Sequence, residues 1–175
     1  MALGATVVKA TLDVADMDRG HYASHELTLA QHPSESDTRL MVRVAAFALH
    51  AHEDLAFTRG MNVEDEPELW RRSPSGEIEL WIDFGQLDER RIRKACGRAR
   101  QVIVYTYASR KAEVWWRQIA PRLGRFDNLR VAHLEGEGLE ILHARNMHLH
   151  CTVQDGEMHL GDGRASVTVA PVAHG

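Results

Sequence analysis

The sequence predicts an α/β fold, a single domain spanning 1–175 with a mixed β-sheet flanked by helices. Three observations lead to this. Strand-like alternation opens and closes the chain, and strand–helix–strand order occurs at 78–107 and again at 101–134. The stretch QVIVYTY is apolar in the manner of a buried parallel strand. We therefore expect parallel pairs with right-handed crossovers in the middle and antiparallel strands at the ends.

The chain is expected to open with a hairpin. Residues 5–14, ATVVKATLDV, alternate apolar and polar residues, and HELTLA at 25–30 does the same after the turn ADMDRGH. A helix over about 34–53 follows, because Leu40, Val44 and Phe47 recur at helical spacing. Ser34 is the expected N-cap of this helix.

The next stretch allows two interpretations. LAFTRGMN at 55–62 predicts a short strand. Asp65, followed three residues later by Glu68, is typical of a helix start. The same region could instead form a strand, PELWRR at 67–72, paired with the strand at 77–84 across the turn SPSG.

The remaining elements are predicted from hydrophobic periodicity and from residues that cap helices, end helices or form turns. The predicted elements are a helix capped by Asp88, the apolar strand at 101–107, a helix at 110–123 ended by Pro121 and Gly124, a strand at 129–135, and two or three C-terminal strands with a DG turn.

Composition indicates an ordinary globular protein. The net charge is −4, with 25 acidic against 21 basic residues, which argues against a protein that coats nucleic acid non-specifically. The chain shows no apolar run of about 18 residues and no signal peptide, so we expect neither a membrane helix nor export. Two cysteines make no disulfide framework, and a cytoplasmic location is expected.

Two acids stand out in the strand at 77–84. Residues 79, 81 and 83 share one face of a strand, so Glu79 and Asp83 flank Trp81 there. Asp83 lies at the carboxyl end of the strand, where α/β sheets place functional groups. The alternative is a solvated strand face, on which two acids cost nothing.

If the hairpin forms with its turn centred near Pro74, Asp65 lies opposite Asp83. Glu35, from the start of the long helix, could approach from the layer above. Carboxylates that converge in this way repel one another unless a divalent cation lies among them, and oxygen ligands suit Mg²⁺ or Mn²⁺. Such an ion would polarise a phosphodiester and activate water.

Nine short stretches resemble those of a known family. They are KAT at 9–11, LTLAQHPSE at 27–35, FTRG at 57–60, DEPELW at 65–70, LWIDFG at 80–85, DERRIRKAC at 88–96, TYASR at 106–110, VWW at 114–116 and QDG at 154–156. Together they resemble the YaeQ family of small bacterial proteins. More broadly, the arrangement resembles the PD-(D/E)XK nuclease-like fold of restriction enzymes and phage exonucleases.

The resemblance implies a metal-dependent phosphodiester hydrolase acting on nucleic acid. It implies Asp65 and Asp83 as metal ligands and Glu35 as an outer ligand or base. Glu79 fits the spacing of the family's motif poorly, and we include it as a metal ligand because it shares the strand face of Asp83. The motif's lysine position is Gly85 here, so Lys94 from the following helix is the candidate for the lysine role. This departure favours the alternative, a non-catalytic module on the same fold that binds nucleic acid or protein.

The helix after Asp83 is strongly basic. Arg90, Arg93 and Lys94 lie within one and a half turns, so we expect this helix to meet the phosphates of DNA or RNA. A solvated basic face is the alternative.

Two histidines form a weaker signal near the C-terminus. His148 and His150 share one face of a predicted strand and could bind Zn²⁺ or Ni²⁺. The sequence shows no defined third ligand, since Cys151 points to the other face. Partly exposed strand histidines without a metal are the alternative.

Overall fold

A computed structural model describes residues 4–58 and 65–174. The predicted α/β class is confirmed, with strands and helices both present. The chain divides into two compact units. Unit 1 comprises Met1–His52 and Glu135–Ala170, and unit 2 comprises Glu53–Leu134 and Pro171–Gly175.

Ten strands, three α-helices and one 3₁₀ turn make up the described residues. The bounds are β1 Thr6–Asp16, β2 His21–Gln31, α1 Asp37–Leu49, β3 Leu55–Phe57, β4 Leu69–Arg72, β5 Ile78–Phe84, α2 Glu89–Arg98, β6 Ala99–Tyr107, α3 Ala112–Leu123, β7 Leu129–Glu135, the 3₁₀ turn Leu139–Leu142, β8 Asn146–Gln154, β9 Glu157–Gly161 and β10 Ser166–Ala173.

Unit 1 is built on a mixed sheet that begins with the predicted hairpin. β1 and β2 pair antiparallel from Thr6 opposite Gln31 to Asp16 opposite His21. β8 lies parallel to β1 on its other side, and β9 pairs antiparallel with both β8 and β10. The predicted alternation of β1 is confirmed, because every second side chain from Val8 is buried.

Helix α1 is buried on all sides from residue 40 to residue 48, but it is shorter than predicted. It spans Asp37–Leu49, and its N-cap is Ser36, whose Oγ accepts a hydrogen bond from the Arg39 backbone N–H at 3.1 Å. The prediction of Ser34 as N-cap is therefore wrong. The Ser34 hydroxyl contacts His32 Nδ1 at 2.7 Å in the turn that precedes the helix.

Unit 2 contains the predicted parallel strands. β5 pairs parallel with β6, and β6 pairs parallel with β7. Antiparallel β4 and β3 extend the sheet beyond β5. A cluster of buried side chains from β5, β6, α2 and α3 forms the core: Trp81, Ile92, Ala95, Ala99, Val102, Val104, Ile119 and Leu123.

Of the two interpretations of 65–72, the strand is confirmed, but its predicted register is wrong. Trp70 lies opposite Trp81, so the position opposite Asp83 belongs to Glu68 rather than to Asp65. The cause is the turn, which is centred beyond Pro74. Ser73 donates its N–H to the Glu77 carbonyl at 2.8 Å, and the pairing shifts again at a β-bulge after β4 residue 71.

The other predicted elements are largely confirmed. Asp88 caps α2, accepting the Arg91 N–H at 2.8 Å. Pro121 lies inside α3, which continues to Leu123 instead of ending at the proline. The DG turn at 155–156 joins β8 to β9. Residues 59–62 of the predicted strand 55–62 lie outside the described residues. Over the described parts of the chain, no helix has both the length and the apolar character needed to cross a membrane.

Candidate functional site around Asp83

Asp83 is a buried carboxylate near the carboxyl end of β5. It is only 2% exposed, and four N–H groups donate to it. Trp81 Nε1 lies 2.9 Å and Arg91 Nε 3.0 Å from Oδ2, while the Glu68 backbone N and Arg91 Nη2 each lie 3.2 Å from Oδ1. The contact with Trp81 confirms that residues 81 and 83 share one face of the strand. The Glu68 contact follows directly from the shifted register.

The electrostatics of Asp83 combine opposing effects. Burial raises the pKa of its carboxyl group above 3.8, because the charged form loses water. The Arg91 guanidinium and the Trp81 N–H favour the charged form and oppose that rise, whereas the negative charge of Glu68 adds to it. Asp83 therefore depends on Arg91 to carry a charge in this environment.

One face of helix α2 binds the chain segment that precedes β4. Arg91, Lys94 and Arg98 recur at i, i+3 and i+7, which places them on one stripe. Arg91 Nη2 donates to the Glu66 carbonyl at 2.9 Å, and Lys94 Nζ lies 2.6 Å from Asp65 Oδ1. Arg98 Nη1 donates to the Asp65 carbonyl. Arg91, Lys94 and Arg98 thus form an inner stripe of basic residues, and this inner stripe binds groups of the protein itself.

Two of the predicted site residues, Asp65 and Lys94, meet directly. Their ion pair is exposed, with 72% of the Asp65 side chain and 43% of the Lys94 side chain open to solvent. The hydrogen bond and positive charge of Lys94 lower the pKa of the Asp65 carboxyl below 3.8. Glu79, in contrast, pairs with Arg71 Nε on the neighbouring strand at 3.2 Å.

Glu35 belongs to unit 1, where two arginines of α1 hold it. Arg43 Nη2 lies 2.6 Å from Oε1, and Arg39 Nη1 lies 2.6 Å from Oε2. The side chains of Glu35 and Arg43 are 1% and 5% exposed. Buried charges of this kind need their partners, and the pair fixes the chain just ahead of α1.

The hydrogen bonds and ion pairs of the predicted carboxylate ligands determine whether Mg²⁺ or Mn²⁺ fits among them. The four N–H donors use about all the acceptor positions of a carboxylate, so Asp83 offers no open oxygen to an ion. Within the described ranges, Asp65, Glu79 and Asp83 do not form a group whose oxygens lie within 4.8 Å of one another. A metal bound at Asp83 would require Arg91 to withdraw, and the ligand assignment stays a prediction.

Sequence reasoning missed two residues of this site, Glu68 and Arg91. The hairpin register places Glu68 beside Asp83, and a three-residue error was enough to select Asp65 instead. Arg91 is one of five basic residues on α2. Its distinguishing signal is its position three residues after the cap Asp88, which fixes the helical phase.

The outer face of α2 differs from the inner stripe. Arg90 and Arg93 are exposed, and within residues 4–58 and 65–174 neither makes an ion pair. Charge is also unevenly divided along the sequence. Unit 2 has 15 Lys and Arg against 13 Asp and Glu, a net charge of +2, whereas unit 1 has 6 against 12, a net charge of −6.

A hydroxyl, an imidazole and a carboxylate line up elsewhere in unit 2. Thr106 Oγ1 lies 2.8 Å from His174 Nε2, and His174 Nδ1 lies 2.9 Å from Glu113 Oε1. The order matches a nucleophilic triad. Thr106 is nevertheless only 1% exposed, and His174 also stacks on Trp116 with ring centroids 5.3 Å apart. A substrate cannot reach the hydroxyl, so these contacts anchor the C-terminal segment.

Neither cysteine is suited to nucleophilic chemistry. Burial raises the pKa of the Cys96 thiol to about 11 and that of the Cys151 thiol to about 12. At neutral pH both stay protonated, and the thiolate is the reactive form.

Comparison with known proteins gives a consistent relationship over almost the whole chain. The model of the family described as YaeQ protein matches residues 1–171. The chain is 46% identical over 172 residues to the uncharacterized protein YaeQ of Escherichia coli K12, covering 97% of this chain and 95% of that protein. It is 45% identical over the same length to the uncharacterized protein YaeQ of Salmonella typhi, with the same coverage.

Two solved structures are closely similar to the fold. The crystal structure of the YaeQ protein from Xanthomonas axonopodis pv. citri superposes with a TM-score of 0.92 at 50% identity, covering 97% of each chain. That of the YaeQ protein from Pseudomonas syringae gives a TM-score of 0.90 at 31% identity, covering 97% of this chain and 95% of the other.

Proposed function

The chain belongs to the YaeQ family, and we propose that it is a nucleic-acid-binding module that holds the phosphate backbone on α2 without hydrolysing it. The observation that carries this proposal is the division of α2 into two basic faces. The inner stripe neutralises Asp83 and Asp65, while Arg90 and Arg93 point outward with exposed side chains.

Arginine suits the outward role chemically. Its guanidinium donates two parallel N–H groups to phosphate oxygens and stays charged at every physiological pH. The net charge of +2 on unit 2 supports a local attraction that the total of −4 conceals. The full coordination of Asp83 by N–H donors supports binding without metal-dependent hydrolysis.

The test measures the salt dependence of binding to short oligonucleotides. Fluorescence anisotropy with single- and double-stranded DNA and RNA gives the affinity at several salt concentrations. Each phosphate neutralised contributes about 0.9 to the slope of log K against log salt on duplex DNA. The double variant Arg90→Gln/Arg93→Gln should therefore lower that slope by about two and weaken binding.

The matched control carries the same loss of charge on unit 1. Arg145 and Arg164 are exposed there, and Arg145→Gln/Arg164→Gln should keep the wild-type slope. Equal slopes for wild type and the α2 variant, or no salt-dependent binding by wild type, would show that the outer face of α2 is only solvated.

Metal-dependent phosphodiester hydrolysis is the second candidate function, with Mg²⁺ or Mn²⁺ as the cofactor. One observation favours it: Glu68 and Asp83 lie opposite each other at the carboxyl end of a parallel strand. This function needs a state in which Arg91 has left Asp83. The charge of a bound cation would then replace that of the guanidinium.

A nuclease assay separates the two functions. Mn²⁺-dependent cleavage of mixed DNA and RNA substrates by wild type, abolished in Asp83→Asn, would establish hydrolysis. Thermal melts of wild type and Asp83→Asn in EDTA and in millimolar Mn²⁺ form the second measurement, because an ion that binds at Asp83 only in the folded state raises the melting temperature of wild type but not that of the variant. Absence of cleavage and equal melting in both buffers would leave the binding function alone.

A further inference from the structure

A second group of titratable side chains lies in unit 1, on the exposed face of the sheet. Asp13 of β1 meets His148 and His150 of β8. The side chains are 41%, 62% and 62% exposed. The sequence indicated the two histidines but offered no third ligand. The tertiary pairing of β1 with β8 supplies it.

Strand register explains why these three side chains meet. β1 and β8 are parallel neighbours, with Asp13 directly opposite His150 and Thr11 opposite His148. Residues two apart on β8 project from the same face, so both imidazoles stand beside the one carboxylate. The Cα positions are fixed by backbone ladders rather than by a loop, which preorganises the group.

The distances between the ligand atoms suit a single ion. One ligand atom from each residue can be chosen so that all three lie within 4.8 Å of one another. Asp13 Oδ2 is 2.7 Å from His148 Nε2 and 3.5 Å from His150 Nδ1. Metal–ligand distances of about 2.0 to 2.2 Å place neighbouring ligands of one ion roughly 3 to 3.5 Å apart. Small side-chain rotations therefore bring the three atoms to coordinating positions.

A hydrogen bond to its other oxygen orients the Asp13 carboxylate towards the histidines. Ser24, opposite Asp13 on β2, donates its hydroxyl to Oδ1 at 2.6 Å, which leaves Oδ2 facing the imidazoles. A supporting hydrogen bond of this kind is characteristic of carboxylates that bind metals. The net charge of −6 on unit 1 also favours a cation.

We propose that Asp13, His148 and His150 bind a divalent transition-metal ion of the zinc and nickel class. Two imidazoles and one carboxylate suit these borderline ions better than Mg²⁺ or Ca²⁺, which prefer oxygen ligands. Three protein ligands on an exposed sheet face leave the remaining coordination positions to water or an external ligand. The site is separate in its residues from Asp83 and does not rest on the proposed function.

The experiment uses the full chain, free of any polyhistidine tag and stripped of metal with EDTA. Calorimetric titration with Zn²⁺ and with Ni²⁺ should give one ion per chain, and bound Co²⁺ should show visible absorption typical of a protein site. Asp13→Asn and His150→Gln should each weaken binding at least tenfold. Ser24→Ala should weaken it by about tenfold, as loss of a supporting hydrogen bond does.

A second histidine pair provides the matched control. His21 Nε2 and His25 Nε2 lie 2.9 Å apart on β2, but no carboxylate completes a group of three with them within the part of the chain that the structure describes. His25→Gln should therefore keep the wild-type affinity. Loss of binding in His25→Gln, or wild-type affinity in both Asp13→Asn and His150→Gln, would overturn the proposal.

No saturable binding by wild type would also overturn it and would identify the group as an Asp–His ion pair only. His150→Gln guards against a folding artefact, because its side chain is 62% exposed and its replacement disturbs no core packing. Circular dichroism of each variant confirms that the fold is retained.

Discussion

Arg91 contacts both carboxylate oxygens of Asp83, with Nε 3.0 Å from Oδ2 and Nη2 3.2 Å from Oδ1. The same arginine donates its backbone N–H to the N-cap Asp88 at 2.8 Å. The cap that starts α2 therefore also fixes the residue that neutralises Asp83. The end of β5, the N-cap Asp88 and the positive charge of Arg91 therefore belong to one local arrangement. This arrangement explains why the acidic Asp83 can occupy a buried strand position.

Removal of Arg91 should destabilise the fold. Arg91→Met leaves the buried Asp83 charge uncompensated, and breaking such a pair costs about 3 kcal/mol of unfolding free energy. Urea unfolding measures the loss, and the neighbouring exposed Arg90→Met should change stability by no more than about 0.5 kcal/mol. The double variant Arg91→Met/Asp83→Asn should recover part of the loss. A double variant no more stable than Arg91→Met would refute the electrostatic explanation.

Stability should fall as His25 becomes protonated. Burial, and then the charges of His21, Arg19 and His52, lower the pKa of His25 below 6.5. The folded state therefore holds this proton more weakly than the unfolded state, so stability is lost as the pH falls from 6.5 towards the lowered pKa. His25→Gln should be less sensitive to pH than wild type over this interval, as measured by unfolding between about pH 5 and pH 8. A difference between the two proteins that is independent of pH would contradict this prediction.

Gly85 and Gly97 should respond oppositely to the same substitution. Gly85, between β5 and α2, has φ of +94°, so Gly85→Ala forces a side chain into the left-handed region and should cost about 1 to 3 kcal/mol. Gly97 lies in α2 with no neighbouring atom within 4 Å of an added Cβ. Gly97→Ala should stabilise the protein by about 0.5 kcal/mol. Thermal or urea unfolding compares them, and equal effects would contradict the conformational argument.

Both thiols should react slowly in the folded protein. With the pKa values of Cys96 and Cys151 raised to about 11 and about 12, little thiolate exists at pH 8. A chromogenic disulfide reagent should modify neither quickly until denaturant is added, when both should react. Rapid modification of native Cys151→Ser would show that Cys96 is more accessible or more acidic than its surroundings indicate.

The sequence by itself determined most of the segments that become strands and helices, although it left 65–72 open between the two. Period-two alternation identified β1 and β2, and the apolar run QVIVYTY identified β6, because these patterns arise within a few residues of chain. Asp88 was recognised as a cap for the same reason, since the N–H that it accepts belongs to Arg91, three residues away. The face shared by Trp81 and Asp83 also followed from local geometry alone.

Tertiary structure decided which side chains meet. A turn displaced beyond Pro74 and one β-bulge put Glu68 rather than Asp65 opposite Asp83, and neither shift is encoded in the alternation of the strands. The partners of Glu35, in contrast, are near it in sequence, because Arg39 and Arg43 lie on α1, which begins two residues after it. The charge pairing at Asp83 depended on a strand register that the alternation of a single strand cannot fix.

The histidine group shows the same division most clearly. The sequence alone predicts that His148 and His150 lie side by side, because residues i and i+2 share a face on any strand. Asp13 is 135 residues from His148 in sequence, and their contact depends on the parallel pairing of β1 with β8. Local pattern fixes the direction in which a side chain points, because backbone sterics act over short range. Its long-range partners are fixed only when hydrogen-bonded strands set the register between distant parts of the chain.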